Sequence, residues 1–379
     1  MSDTLANNLT GAEHEGLVAR AVDTWVRPEI RALSAYHVPD ATGLIKLDAM
    51  ENPYTLPEEL RDPWLASLRE QALNRYPDPQ ASELQQALRE TMGIAPEMGL
   101  VLGNGSDELI QMLALALGAP GRTVLSFEPG FVMYRMIATF AGLEYVGVPL
   151  RADNFALDLD AALAAIETHR PAVTFIAYPN NPTGNLFDAE AIARIIEASP
   201  GLVVVDEAYA PFTDHSFLSR LGEWPNLLVL RTVSKMGLAG LRLGYLAGPP
   251  EWIREIDKTR LPYNINVLTQ ASAVFALNHA TVFDAQTREI RAERERLAAA
   301  LDSIKGNING LVVYPSEANF ILLRVAGGTA GRVFDGLKAA GVLIKKLDGA
   351  HPQLHDCLRV TVGTAEENQE FLAALATLL

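Results

Sequence analysis

Asn226-Leu227-Leu228-Val229-Leu230 runs into Arg231-Thr232-Val233-Ser234-Lys235-Met236-Gly237-Leu238-Ala239-Gly240-Leu241-Arg242. The apolar run has the length of a short buried strand, and the stretch after it is polar and rich in glycine. A lysine is unusual there, since most lysines sit on solvated helix faces. Boxed in by Ser234, Gly237, Gly240 and Arg242, Lys235 reads as a reactive amine. Burial or a nearby cation makes such an amine nucleophilic, and a carbonyl partner then closes a Schiff base on it. Arg242 offers both that cation and a phosphate contact. A lone Ser-Lys pair is ordinarily a solvated loop, so the reading depends on the rest of the chain.

Outward from this stretch the same pattern recurs. Strand-like runs lie at Thr123–Phe127, Tyr145–Val148, Val173–Ala177, Leu202–Val205 and Leu243–Ala247, with helical segments at Phe131–Phe140, Leu159–Thr168 and Asp188–Ala198 between several of them. Apolar strands alternating with helices predict an α/β fold, a mainly parallel sheet covered by helices on both faces. Ligands of such sheets sit beyond the carboxyl ends of the strands, so functional residues are expected just after strands. Ser82 is expected to cap a helix reaching about Met92, and Ser106-Asp107-Glu108 to open another. Beyond Gly248-Pro249-Pro250 a long helical stretch, bent near Asn278-His279, precedes alternating elements to the C-terminus. These form a smaller α+β domain together with the N-terminal segment. The expected division is an arm and small-domain segment at 1–50, a large domain at 51–275 and a small one at 276–379.

Composition narrows the function. The chain has 379 residues, 49% of them hydrophobic and 20% charged, enough for a sizeable core and unlike a disordered chain. Its net charge, 31 − 46 = −15, disfavours nucleic acid and anionic membrane, so an anionic ligand needs a local cluster of donors. Cys357 is the only cysteine, which excludes an internal disulfide and fits a reducing compartment. With neither a signal-peptide pattern nor a membrane-length apolar run, the expectation is a soluble, cytoplasmic globular protein, and its histidines show no metal spacing.

Four segments carry chemistry. Gly103-Asn104-Gly105-Ser106-Asp107-Glu108 is a glycine turn feeding a helix N-terminus, where backbone N–H groups and the helix dipole receive a phosphate. Asp107 is awkward beside a phosphate unless it faces away. Tyr178-Pro179-Asn180-Asn181-Pro182-Thr183-Gly184 is a tight turn after a strand, able to aim an amide at a ligand oxygen. Val205-Asp206-Glu207-Ala208-Tyr209 sets a carboxylate at the end of a buried strand, which is costly without a partner. The fourth is the Lys235 segment. Together they meet the needs of pyridoxal 5'-phosphate. Lys235 forms the Schiff base and Asp206 keeps the ring nitrogen protonated. Asn181 and Tyr209 hold the phenolate, while Gly105, Ser106, Asp107, Ser234 and Arg242 hold the phosphate.

The same order of segments resembles the fold-type I, class II aminotransferases across nearly the whole chain. Three stretches bring it closest to the histidinol-phosphate aminotransferase family: Val26–Ile30 with Lys46–Tyr54, Pro262–Asn266, and Cys357–Thr364. That resemblance implies ping-pong transfer of an amino group from histidinol phosphate to 2-oxoglutarate through a lysine aldimine, giving imidazole acetol phosphate and glutamate, in histidine biosynthesis. It also implies a homodimer in which Tyr54 reaches the partner's cofactor phosphate, Phe131 covers the ring face, and Tyr36 and Arg359 face substrate. Two positions depart from the family pattern. Phe131 replaces a common tyrosine, and Lys345 stands where an arginine of the substrate pocket is usual; a lysine gives charge but no bidentate fork. An aromatic or broad-range aminotransferase, a phospho-amino-acid decarboxylase and a non-catalytic sensor domain are the alternatives.

Overall fold

The computed structural model describes residues 11–35, 38–305 and 310–379, in two compact units, one up to Asp40 and one from Ala41 to Leu379. The first contains the helix Gly11–Trp25 and a single turn, Pro28–Arg31. Tyr36 lies outside the described residues.

The second unit holds both sheets. Its strands are β1 (Ile45–Leu47), β2 (Gly99–Asn104), β3 (Thr123–Glu128), β4 (Glu144–Pro149), β5 (Val173–Ala177), β6 (Leu202–Asp206), β7 (Leu227–Thr232), β8 (Leu243–Gly248), β9 (Val312–Val313), β10 (Phe320–Arg324), β11 (Val342–Lys346) and β12 (Cys357–Thr361). The larger sheet has the order β2-β8-β7-β6-β5-β3-β4, and the smaller β1-β11-β12-β10-β9. Within the larger sheet β4, β3, β5, β6 and β7 run parallel, while β8 is antiparallel to both its neighbours, β7 and β2. That single reversal matters for the site. The chain leaves β7 through Ser234 and Lys235 and re-enters the sheet at Leu243, so Arg242 lies at the same edge as the carboxyl ends of the parallel strands.

Alternate residues of the buried strands feed two apolar layers, as a period of two requires. Leu125, Val203, Val205 and Val229 pack with Leu84, Leu88, Ile192 and Ile196 on one face. Val124, Val204, Leu228 and Leu230 pack with Leu109, Leu113, Ile137 and Ile253 on the other. Helices therefore cover both faces, and the expected α/β class holds. In the smaller sheet β1 pairs in parallel with β11, which places the N-terminal segment Ile45–Leu47 among C-terminal strands.

Local expectations hold unevenly. The long helical stretch is two helices, Val267–Asn278 and Ala280–Lys305, meeting at His279. Ser82 does not cap its helix: Ala81, in the left-handed region at φ 47°, is the N-cap, and Asp78 accepts the Ser82 N–H at 2.7 Å. Ser106 opens its helix as expected, Ser106–Leu117, with Gly105 as the N-cap at φ 80°. Among the described residues no helix is long and apolar enough to cross a membrane.

Candidate active site

At the carboxyl edge of the larger sheet lies a cavity of about 430 Å³. Ser106, Asp107, Phe131, Asn181, Asp206, Tyr209, Ser234, Lys235 and Arg242 all line it. Each belongs to a segment that follows a strand, apart from Asp206, the last residue of β6, and Arg242, which precedes the reversed β8; the chain assembles them from β2, β3, β5, β6 and β7.

Lys235 and Asp206 meet across this one space. The Lys235 Nζ donates to the Ala49 carbonyl at 3.4 Å and lies 5.8 Å from the centre of the Tyr209 ring. Burial lowers its pKa to about 8, with the cations Arg359 and Arg242 acting in the same direction. The amine is thereby brought toward its neutral, nucleophilic form near physiological pH. Asp206 goes the other way. Burial raises its carboxyl to about 6, against the pull of hydrogen bonds from the Tyr134 hydroxyl at 2.7 Å and the Ala208 N–H at 3.1 Å. Asp107 and Glu207 are the nearby charges, and both raise it further.

Asn181, Tyr209 and Arg359 form a chain of donors. The Asn181 amide donates to the Tyr209 hydroxyl at 3.1 Å, and Arg359 donates to the Asn181 carbonyl oxygen. The other arm of Arg359 reaches the Asp48 carbonyl at 3.1 Å, and its guanidinium lies 5.1 Å from the centre of the Phe320 ring.

The anion-binding end is a cradle. Gly105 turns the chain into the helix Ser106–Leu117, whose first N–H groups have no partner within the helix. A Cβ at Gly105 would lie 2.5 Å from an Arg242 guanidinium nitrogen, so only glycine lets that cation close over the turn. Glu108 holds the turn's shape by accepting from the Asn104 N–H at 2.6 Å and the Asn264 amide at 2.9 Å. Asp107 does not face away. One carboxylate oxygen stands 3.9 Å from Arg242, and the other is buried without a hydrogen-bond partner. Burial raises its carboxyl group, with Arg242 and Lys235 opposing. A phosphorylated pyridine aldehyde fits this set: an amine for the aldehyde, an acid for the ring nitrogen, donors for a ring oxygen, and a glycine cradle with a guanidinium for the phosphate.

Residues 42–375 match the sequence profile described as Aminotransferase class I and II. The chain belongs to the class I and II aminotransferases. It is 57% identical over 354 residues to histidinol-phosphate aminotransferase 2 of Nitrosococcus oceani, covering 93% of this chain and 97% of that one. It is 55% identical over 363 residues to histidinol-phosphate aminotransferase 2 of Cupriavidus pinatubonensis, covering 94% and 97%. The crystal structure of histidinol-phosphate aminotransferase from Sinorhizobium meliloti in complex with pyridoxal-5'-phosphate resembles this fold with a TM-score of 0.81, at 26% identity over 94% of this chain and 97% of that one.

The site of this aminotransferase also includes residues that sequence reasoning missed. Tyr134 lines the cavity and is the side-chain donor to Asp206. Ala49, Met50 and Glu51 close one wall, bringing the β1 segment to the cavity. Other predicted residues stand apart from the lining. Lys345 lies directly opposite Arg359 in the antiparallel β11–β12 pair, half-buried, beside the arginine rather than in the cavity wall. Tyr54 packs against the core of the smaller sheet within its own chain. Burial raises its phenol, and Glu289, Glu293 and Glu366 raise it further.

Proposed function

We propose that this aminotransferase transfers the amino group of L-histidinol phosphate to 2-oxoglutarate, yielding imidazole acetol phosphate and glutamate in histidine biosynthesis, with pyridoxal 5'-phosphate as cofactor. The observation that carries the proposal is the placement of Lys235 and Asp206 in one cavity with a glycine-arginine cradle, in a chain more than half identical to proteins named for that reaction. The bound cofactor supplies an electron-withdrawing ring that stabilises negative charge at the substrate carbon.

This reading gives the chain's own residues the following roles. Lys235 Nζ, its pKa lowered to about 8 by burial and two cations, would bind the aldehyde and, once released by the incoming amine, would move the proton between the substrate carbon and the cofactor. The Asp206 carboxylate holds a proton on the ring nitrogen. Asn181 and Tyr209 orient the ring oxygen, and Phe131 covers the ring face. Gly105, Ser106, Asp107, Ser234 and Arg242 hold the phosphate, the first three through backbone N–H groups. Arg359 receives the anionic end of each substrate, the phosphate of one and a carboxylate of the other, with Lys345 adding positive charge beside it; the family resemblance assigns Tyr36, outside the described residues, to substrate. One pocket thus serves two acids in turn, as ping-pong transfer requires.

The same reading makes the protein a cytoplasmic homodimer, with Tyr54 reaching the phosphate in the partner's site. Residues 51–275 then bind the cofactor, and residues 276–379, with the segment before 51, form the smaller domain. A donor screen with 2-oxoglutarate as acceptor tests the substrate. Glutamate should form fastest with histidinol phosphate. Faster turnover of phenylalanine would replace this reading with an aromatic aminotransferase, and carbon dioxide release without a keto acid would replace it with a decarboxylase.

A further inference from the structure

Asp206 is a buried carboxylate whose neighbouring charges, Asp107 and Glu207, are both acids. Burial and these charges favour the protonated acid, a form that cannot hold a proton on a pyridine nitrogen. What opposes them is hydrogen bonding to the anion. Oδ1 accepts the Ala208 N–H at 3.1 Å, and Oδ2 accepts the Tyr134 hydroxyl at 2.7 Å. Each oxygen thus keeps a further lone pair for a ligand.

Tyr134 is itself fixed. It is 1% exposed, stacks on Phe175 of β5 at 4.7 Å between centroids and 6° between planes, and meets Phe131 edge-on at 5.4 Å. Its ring is oriented by these two contacts, so its hydroxyl is aimed at Oδ2 before any ligand arrives. The helix Val132–Ala141 that carries it begins one residue after Phe131. One turn of chain therefore supplies both the aromatic cover and the brace of the acid.

We propose that Tyr134 is a positioning residue for the transamination: its hydroxyl holds the Asp206 carboxylate as an oriented anion, and it acts on the cofactor only through Asp206. This rests on the reading of Asp206 as the partner of the ring nitrogen.

The test is a cycle of Tyr134→Phe, Asp206→Asn and the double variant, each prepared as the holoenzyme. Phenylalanine keeps both ring contacts and removes only the hydroxyl. A hydrogen bond to a charged group carries about ten- to a hundredfold in an equilibrium, so Y134F should lower the rate of the amino-donor half-reaction by about that factor. The acid limb of its pH profile should move to higher pH, and so should the pH at which the visible absorbance of the bound cofactor changes. In the D206N background the same substitution should cost nothing further. Additive losses, or a Y134F profile and absorbance titration identical to wild type beside a disabled D206N, would overturn the role of Tyr134 alone. Wild-type behaviour of D206N itself would overturn the assignment of Asp206 on which the inference stands.

Discussion

Arg359 donates to the carbonyl oxygen of Asn181, a hydrogen bond between β12 of the smaller sheet and the turn after β5 of the larger. Through it the residue assigned to the substrate's anion is joined to the one assigned to the cofactor's ring oxygen. Arg359→Lys keeps the charge but cannot reach both Asn181 and the Asp48 carbonyl from a single ammonium. The KM of both half-reactions should rise by about ten- to a hundredfold, with the melting temperature little changed. Steady-state kinetics with each substrate varied in turn reads this; a change confined to one substrate would mean that Arg359 does not receive the anionic end of both.

The pH response of Lys235 has a definite sign. With its pKa lowered to about 8, the neutral fraction of the amine grows as pH rises through that value. The rate at which apoenzyme combines with pyridoxal 5'-phosphate should climb through the same range and then level. Arg359→Gln removes a cation that helps lower the pKa, so the midpoint should move upward. A midpoint unmoved by the substitution would show that Arg359 does not help to set the amine.

Asp206 links function to stability. Its carboxyl, raised to about 6 in the folded chain, binds protons that the unfolded chain releases at its ordinary value of about 3.9. Stability from this group is present below that lower value and is lost as pH rises through about 6. Asp206→Asn escapes the loss. The apo variant should melt about 2–5 °C above wild-type apoenzyme at pH 8, with the difference vanishing near pH 4, while being inactive. Equal melting temperatures at pH 8 would mean that Tyr134 and Ala208 fully compensate the buried charge.

Much of this site was legible because strands buried on both faces leave continuous apolar runs, and the residue that ends each run stands out. Asp206 after Leu202–Val205 and Lys235 after Leu227–Leu230 are read that way. Elements without such contrast were not. The strand Gly99–Asn104 is broken by glycines at Gly99 and Gly103, and the helix Glu58–Arg69 carries Pro63. Ser82 looks like a cap, yet the chain turns one residue earlier through a left-handed alanine. Tyr134 sits at helical spacing in an apolar segment and reads as core; only the approach of β6 to that helix turns it into a partner of Asp206. Lys345 depends on strand register, which places it beside Arg359 and which no local pattern encodes.

Gly105 offers a test of the phosphate cradle. Alanine there meets both an unfavourable φ and the Arg242 guanidinium. Gly105→Ala should weaken retention of pyridoxal 5'-phosphate by at least about tenfold, a loss of one charge-assisted contact, while leaving the fold intact. Equilibrium dialysis of the cofactor measures it, and unaltered retention would place the phosphate elsewhere.

The most direct measurement locates the amine. Borohydride reduction of the holoenzyme, then digestion and mass spectrometry, fixes the cofactor to whichever nitrogen holds it. The label should fall on Lys235 alone and vanish in Lys235→Ala. A label on another lysine, or full turnover by that variant, would contradict the account.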